Sequence, residues 1–328
     1  MTRIDEYIRY HEASARIGDI DPSYAMLRYV CDRFELNEEQ RYWLAFVYAM
    51  TYCGASTYYI YNELPDFENL DRGRMERWWA GGGRSNSIFQ TDARWRRSRN
   101  QVVDAIECYR RWIGKGTQAE HFARIATGST PEQRYDRLLA RAKELYTFGQ
   151  FTLFLYLEAL HVITPLDLEP TDLDLNKAWS CRDGLYYAYG LDHFIRDDDV
   201  PIPVEARSET AVAWGDLRLR LSRLAVPPTV WQTETILCAY RKYRRTLEGK
   251  AGATGKRWIG YYLDRQADEI AKMEGHVTDG VAWRVLWEYR KETYDPEYCA
   301  ESHGWVNSAG VERDWKDFGI QRTKELLS

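Results

Sequence analysis

Apolar residues along this chain return mostly every three or four positions, the period of an amphipathic helix. Tyr24, Leu27, Val30 and Phe34 mark one such face, behind Asp21-Pro22, which reads as an N-cap with a first-turn proline. Asn37 and Gln40 have capping-box spacing in front of Tyr42, Trp43, Phe46, Val47 and Met50, and Gly54 reads as the end of that helix. Ser56 to Glu63 predicts a short aromatic helix that stops before Pro65. A charged helix near Asp71 to Ala80 runs into Gly81-Gly82-Gly83, which reads as a flexible loop. Asp92 to Trp112 predicts a helix with a basic side, and Thr130-Pro131-Glu132-Gln133 opens another. Further helices are predicted from about Thr229 to Leu247, Arg257 to Met273, Val281 to Thr293 and Val311 to Leu327. No alternating strand run and no internal repeat stands out, so the expected class is all-α.

The centre of the pattern is Glu144 to Asp183. It reads as helix, a tight turn at Phe148-Gly149-Gln150, an apolar helix, and a descent through Pro165 and Pro170 past Asp167, Glu169, Asp172 and Asp174. The next helix holds Lys177 and Arg182. After Gly190 an acidic stretch, Asp197-Asp198-Asp199, meets Pro201 and Pro203. That is the best internal boundary. It divides a core of residues 1–200, including the hairpin 144–183, from a helical region 201–328 packing on it, unless the whole is one domain.

Composition narrows the picture. Of 328 residues, 45% are hydrophobic, enough for a substantial core, and the 13 Trp, 24 Tyr and 10 Phe suit stacking surfaces as well as cores. A net charge of -5 disfavours a generally basic nucleic-acid coat but allows a local basic face. The six Cys form no C-x-x-C pair and read as reduced thiols; Cys299 and His303 lack the partners a zinc site needs. The charged start MTRIDEYIRYHE does not look like a signal peptide, and no apolar run approaches the ~20 residues of a membrane span. A cytoplasmic protein without a membrane partner is expected.

Candidate chemistry lies in charge and aromatics. Gly249 to Lys256 (GKAGATGK) is glycine-rich but misses the phosphate-loop spacing, and Arg257 stands where Ser or Thr should follow the lysine. Lys250, Lys256 and Arg257 beside mobile glycines still suit a phosphate clamp. Arg94, Arg96, Arg97, Arg99, Arg110 and Arg111 form one basic cluster and Arg241, Lys242, Arg244 and Arg245 another. Trp95, Trp112, Tyr243, Trp258, Tyr261 and Tyr262 interleave with them, as on nucleic-acid-binding faces. Nucleophile and zinc-protease motifs are absent, and the six His are scattered. Acids are therefore the better bases: Asp174 first and Asp172 second, at a helix entrance where plain capping is the competing role. Glu234 and Asp264 also sit on aromatic, basic helices, where surface salt bridges are the commoner role.

The central stretch resembles the helix-hairpin-helix and catalytic-aspartate segment of DNA glycosylases. Gly149, Thr152 and the helix through Leu160 match, and Glu169, Asp172 or Asp174 falls near the acid. Thr147 replaces the first hairpin glycine and Phe151 stands where the lyase branch has its lysine. More of the chain resembles a related bacteriophage family, the amino acid:DNA transferases, also called alpha-glutamyl/putrescinyl thymine pyrophosphorylases. The resemblance runs over most of residues 5–275. It rests on QRYWLAFVYAMTYCG (Gln40 to Gly54), FQTDARWRRSRNQ (Phe89 to Gln101), FGQFTLFLYLEAL (Phe148 to Leu160), LDLNKAWSCRDGL (Leu173 to Leu185) and KRWIGYYLDRQ (Lys256 to Gln266). Residues beyond about 275 add little.

The resemblance implies a two-lobed, glycosylase-like helical fold. It also implies a substrate already in DNA, a thymine analogue whose methyl group carries pyrophosphate, which a free amino acid or amine displaces. Double-stranded phage DNA and the amino acid would be the partners, in the host cytoplasm. No redox cofactor is required, and a divalent metal has room to assist. Lys177, Arg182, Lys256, Arg257, Tyr261 and Arg265 are the residues expected to hold the pyrophosphate. Gly149, Gln150, Thr152, Arg94, Arg96 and Arg97 are expected to contact DNA. A glycosylase acting on a modified base, and a non-catalytic DNA-binding subunit of a modification complex, are the alternative readings.

Overall fold

The computed structural model describes residues 2–90, 98–195, 201–250, 257–294 and 315–328. Among them every regular element is a helix. The contacts group them into two units that interleave along the chain, whereas the sequence reading divided it once, near residue 200. One unit takes Met1–Asp21, Thr171–Asp264 and Tyr294–Ser328, the other Pro22–Pro170 and Arg265–Thr293.

The second unit is organised on the helix Glu38–Thr51, in which every residue from Tyr42 to Thr51 is buried. A helix that is covered on all sides is central by necessity. Its start is the expected capping box, with the Gln40 amide N–H donating to Asn37 Oδ1 at 3.0 Å and Asn37 N–H donating back to Gln40 Oε1 at 2.9 Å. Phe46 stacks on Tyr109 with centroids 4.0 Å apart and on Phe148 at 5.2 Å, so the aromatics of three segments meet on one ring. The helix ends at Thr51 with Tyr52 in the left-handed conformation; Gly54 begins the next helix, Gly54–Glu63, and does not close the first. A Cβ on Gly54 would lie 2.1 Å from the Met26 methyl, so close packing is what selects the glycine there. Gly81-Gly82-Gly83 is not an open loop but a kink: it lies in a π-helical turn, Trp79–Gly83, between Arg72–Trp78 and Arg84–Asn86, and Gly82 at φ +148° breaks the helical path there. The basic helix expected from Asp92 begins only at Val102 among the described residues: Ser98–Asn100 is a separate 3-10 turn, Gln101 is the N-cap, and the helix runs Val102–Ile113.

A turn joins the helix Pro131–Ala142 to the helix Gln150–Ile163. Leu145 is buried, Thr147 takes φ +72°, and Gly149 is the extended N-cap of Gln150–Ile163. The left-handed position that favours glycine is thus occupied by a β-branched threonine, an unfavourable choice that surrounding packing must hold.

The first unit is built on Trp179–Tyr189 and Val230–Leu247, with Arg3–Arg16 across them. Tyr7 and Tyr10 pack on Tyr240 at 5.2 and 5.6 Å, and Glu6 receives the Tyr240 hydroxyl at 3.0 Å and Arg244 at 3.1 Å. Arg207–Leu221 is a helix that the sequence pattern did not reveal. Trp179–Tyr189 and Val230–Leu247 approach so closely that a Cβ on Gly184 would fall 2.1 Å from the Leu237 carbonyl oxygen. Gly184→Ala must push one backbone away from the other. It is expected to lower stability by about 1–3 kcal/mol in denaturant melts, against a fraction of that for Gly215→Ala, whose added Cβ meets nothing.

Candidate active site

The helix seam around Gly184 buries charge. Asp183 is fully buried and pairs with Arg241 Nε at 3.0 Å, while Arg182 Nε lies 3.9 Å from its other oxygen. One carboxylate is set between two guanidinium groups, and Arg182 is only 1% exposed. The Arg241 guanidinium also lies over the Trp179 ring, 4.5 Å from its centroid. Taking three charges out of water is expensive and is repaid only by close, well-directed pairing. Such a cluster fixes the seam's geometry.

At the margin of the seam Ser180, Glu234 and Cys238 are half-buried beside the buried Cys181. The Cys181 thiol donates to Glu234 Oε1 at 3.0 Å, and Ser180 Oγ and Cys238 Sγ are 3.1 Å apart. The neighbouring Thr235 hydroxyl donates to Asp21. Burial pushes the Glu234 carboxyl up to about 7; the Cys181 hydrogen bond and the Lys242 charge oppose this, and Asp21 adds to it. Burial also raises the Cys181 thiol well above its ordinary range, so the sulfur donates a proton and is no nucleophile. A carboxyl that titrates near neutrality beside a lysine, over fixed cations, can accept a proton from an incoming amine.

The model of the amino acid:DNA transferase family matches residues 15–247. The chain belongs to that family. Its activity is the transfer of an amino acid to DNA. A protein called serinyltransferase, from Salmonella phage ViI, is 25% identical over 306 residues, covering 85% of this chain and 69% of that relative. No solved structure matches the chain. The family match takes in the whole seam, from Trp179 through Asp183 to Glu234, Arg241 and Lys242.

The transferase distributes the residues singled out in its sequence. Asp172 accepts the Trp214 indole N–H at 2.7 Å and the Leu173 N–H at 2.8 Å. Asp174 holds the Lys177 ammonium at 2.6 Å with both side chains largely in water. Neither caps the helix that follows: its N-cap is Ala178, without a side-chain cap. Arg182 is committed inside the seam and is not presented to solvent. The Arg257 guanidinium stacks over Tyr261 at 3.6 Å. Arg265 falls in the other unit, where it pairs with Glu269 at 3.2 Å. Gly149, Gln150 and Thr152 stand together at the start of Gln150–Ile163, with open space around the Gly149 α-carbon. Arg94, Arg96, Arg97 and Lys256 lie outside the described residues.

Asp183, Arg241 and Trp179 were missed as a group. A signal existed: Asp183 interrupts a run from Cys181 to Ala188 in which every residue is buried, and a charge on a covered face demands a partner. Among the described residues no helix is long and apolar enough to cross a membrane.

Proposed function

We propose that the transferase replaces the pyrophosphate of 5-pyrophosphoryloxymethyl-uracil in phage DNA with an amino acid. The family match over the helix seam is the observation that supports this reading most. The amine nitrogen attacks the C5 methylene, the carbon–oxygen bond to pyrophosphate breaks, and the amine's proton passes to a base. No oxidation state changes, so no redox cofactor enters. Glu234 is the base we assign, because it combines partial burial with a titration near neutrality. Lys177 and Lys242, which reach solvent on the same unit, are assigned to the departing anion, with Arg257 and Tyr261 as a further contact. The name of the Salmonella phage relative makes serine the first amino acid to test.

The experiment is direct. Duplex DNA carrying the pyrophosphorylated base is incubated with single amino acids and digested to nucleosides. A new nucleoside of the adduct mass is expected; abasic sites would replace this reading with a glycosylase, and an unchanged base under saturating binding would replace it with a binding subunit.

DNA contact is assigned to main-chain N–H groups at Gly149 and Gln150, with Thr152 assisting, and to the arginines at 94, 96 and 97. Replacing Arg96 and Arg97 together by Ala should reduce the slope of log affinity against log salt by about 2, near 0.9 per lost phosphate contact. An unchanged slope excludes them from the phosphate contacts.

A further inference from the structure

The geometry points to Gln90, oriented by Glu269, as the residue that reads the imide edge of a thymine-derived base beside Tyr52 and Phe151. This rests on the substrate reading above, and it concerns the second unit alone. Tyr52 has φ +50°, an uncommon conformation for an aromatic residue and one that tends to mark functional positions. The Arg265 guanidinium lies over its ring at 5.0 Å, and Phe151 meets it edge-on at 6.0 Å. Phe151 is 43% exposed, an apolar ring left in water beside the hairpin. Aromatic faces of this kind receive unstacked bases.

The polar half of the site is held firmly. The Ile88 N–H donates to Ser56 Oγ at 2.7 Å and the Gln90 N–H to the Thr51 carbonyl at 2.9 Å, which fixes the backbone next to Tyr52. The Gln90 side-chain amide donates to Glu269 Oε1 at 2.5 Å, and Arg265 Nε lies 3.2 Å from the same oxygen. Glu269 is 1% exposed, and the Cys53 thiol lies beside it. Burial raises the carboxyl above its usual range, against the Arg265 charge; Oε1 is the acceptor oxygen in either state, because both donors address it.

An amide pinned by one N–H to a carboxyl oxygen cannot turn over. Gln90 therefore offers its carbonyl oxygen and its second N–H in a fixed order. That pair complements the N3–H donor and the O4 carbonyl of uracil and thymine. In the same register cytosine meets acceptor with acceptor and donor with donor. Glu269 is thus a positioning residue, and Gln90 the residue that discriminates.

The test uses the full chain without amino acid. Duplexes carrying one 5-hydroxymethyluracil or one 5-hydroxymethylcytosine at the same position are titrated by fluorescence anisotropy. The wild type should prefer the uracil form by about tenfold or more. Gln90→Leu should reduce the preference to within about twofold while binding the cytosine form as before. Gln90→Met is the second variant if Gln90→Leu melts early. Glu269→Leu should lose the preference, and Glu269→Gln, which keeps an acceptor oxygen, should retain most of it; a merely structural role predicts no such rescue. An unchanged preference in folded Gln90 variants, or a wild type without preference, overturns the assignment. A preference without any adduct from the pyrophosphorylated duplex overturns the transfer reading and leaves this one standing; adducts without a preference do the reverse.

Discussion

Glu234→Gln is expected to slow adduct formation by about a hundredfold to ten thousandfold at neutral pH, the range a positioned general base contributes. The side chain keeps its shape and an acceptor for the Cys181 thiol, so DNA binding and melting should stay near wild type. The pH profile separates this from a structural effect. The wild-type rate should rise through pH 7, where the Glu234 carboxyl loses its proton. In Glu234→Gln that rise should vanish, leaving the residual rate flat. Stability moves the other way. The folded protein holds a proton at Glu234 that the unfolded chain, with an ordinary carboxyl, releases; this contribution is therefore present at low pH and is lost as pH rises towards 7. Asp174→Asn is the companion measurement. Its carboxylate already holds the Lys177 ammonium in water, so its rate should remain within about tenfold of wild type. The same profile lost in Asp174→Asn and kept in Glu234→Gln would return the role of base to Asp174.

Asp183→Ala should be the most damaging substitution for stability. It leaves Arg182 and Arg241 buried without their shared carboxylate. Breaking a buried pair from one side typically costs about 3–5 kcal/mol, and here two cations lose one partner. A fall in melting temperature of roughly 10 °C is expected if the unit melts cooperatively. Glu76→Ala is the contrast. Its pair with Arg72 at 2.8 Å is exposed on both sides, and its loss should lie within about 1 kcal/mol. Equal effects from the two substitutions would mean that the seam's charges are solvated.

The sequence by itself determined most of the helices and several of their starts, though not Arg207–Leu221. Asn37 with Gln40, and Thr130-Pro131 ahead of Gln133, were legible as helix entrances because a cap is made by residues three apart on one segment. The all-α class followed from the same local periodicity, and family membership from ordered motifs. The ends of elements were less legible. Gly54 and Gly81-Gly82-Gly83 looked alike as breakers, but Gly54 is selected by the room the Met26 side chain needs, whereas Gly82 does break the helical path at φ +148°, and only the packed structure distinguishes the two. The order of the units was hidden for a related reason: their boundaries follow contacts between segments distant in sequence, such as Tyr7 with Tyr240, which no local composition records. Burial decided the site. Glu234 and Asp174 are both carboxylates on basic, aromatic stretches, and their intrinsic acidities are alike. The fold sets Asp174 in water against Lys177, and sets Glu234 in a seam where desolvation holds its proton to about pH 7. A carboxylate's affinity for a proton depends on the dielectric and the charges around it, and the chain acquires both only when its distant helices pack.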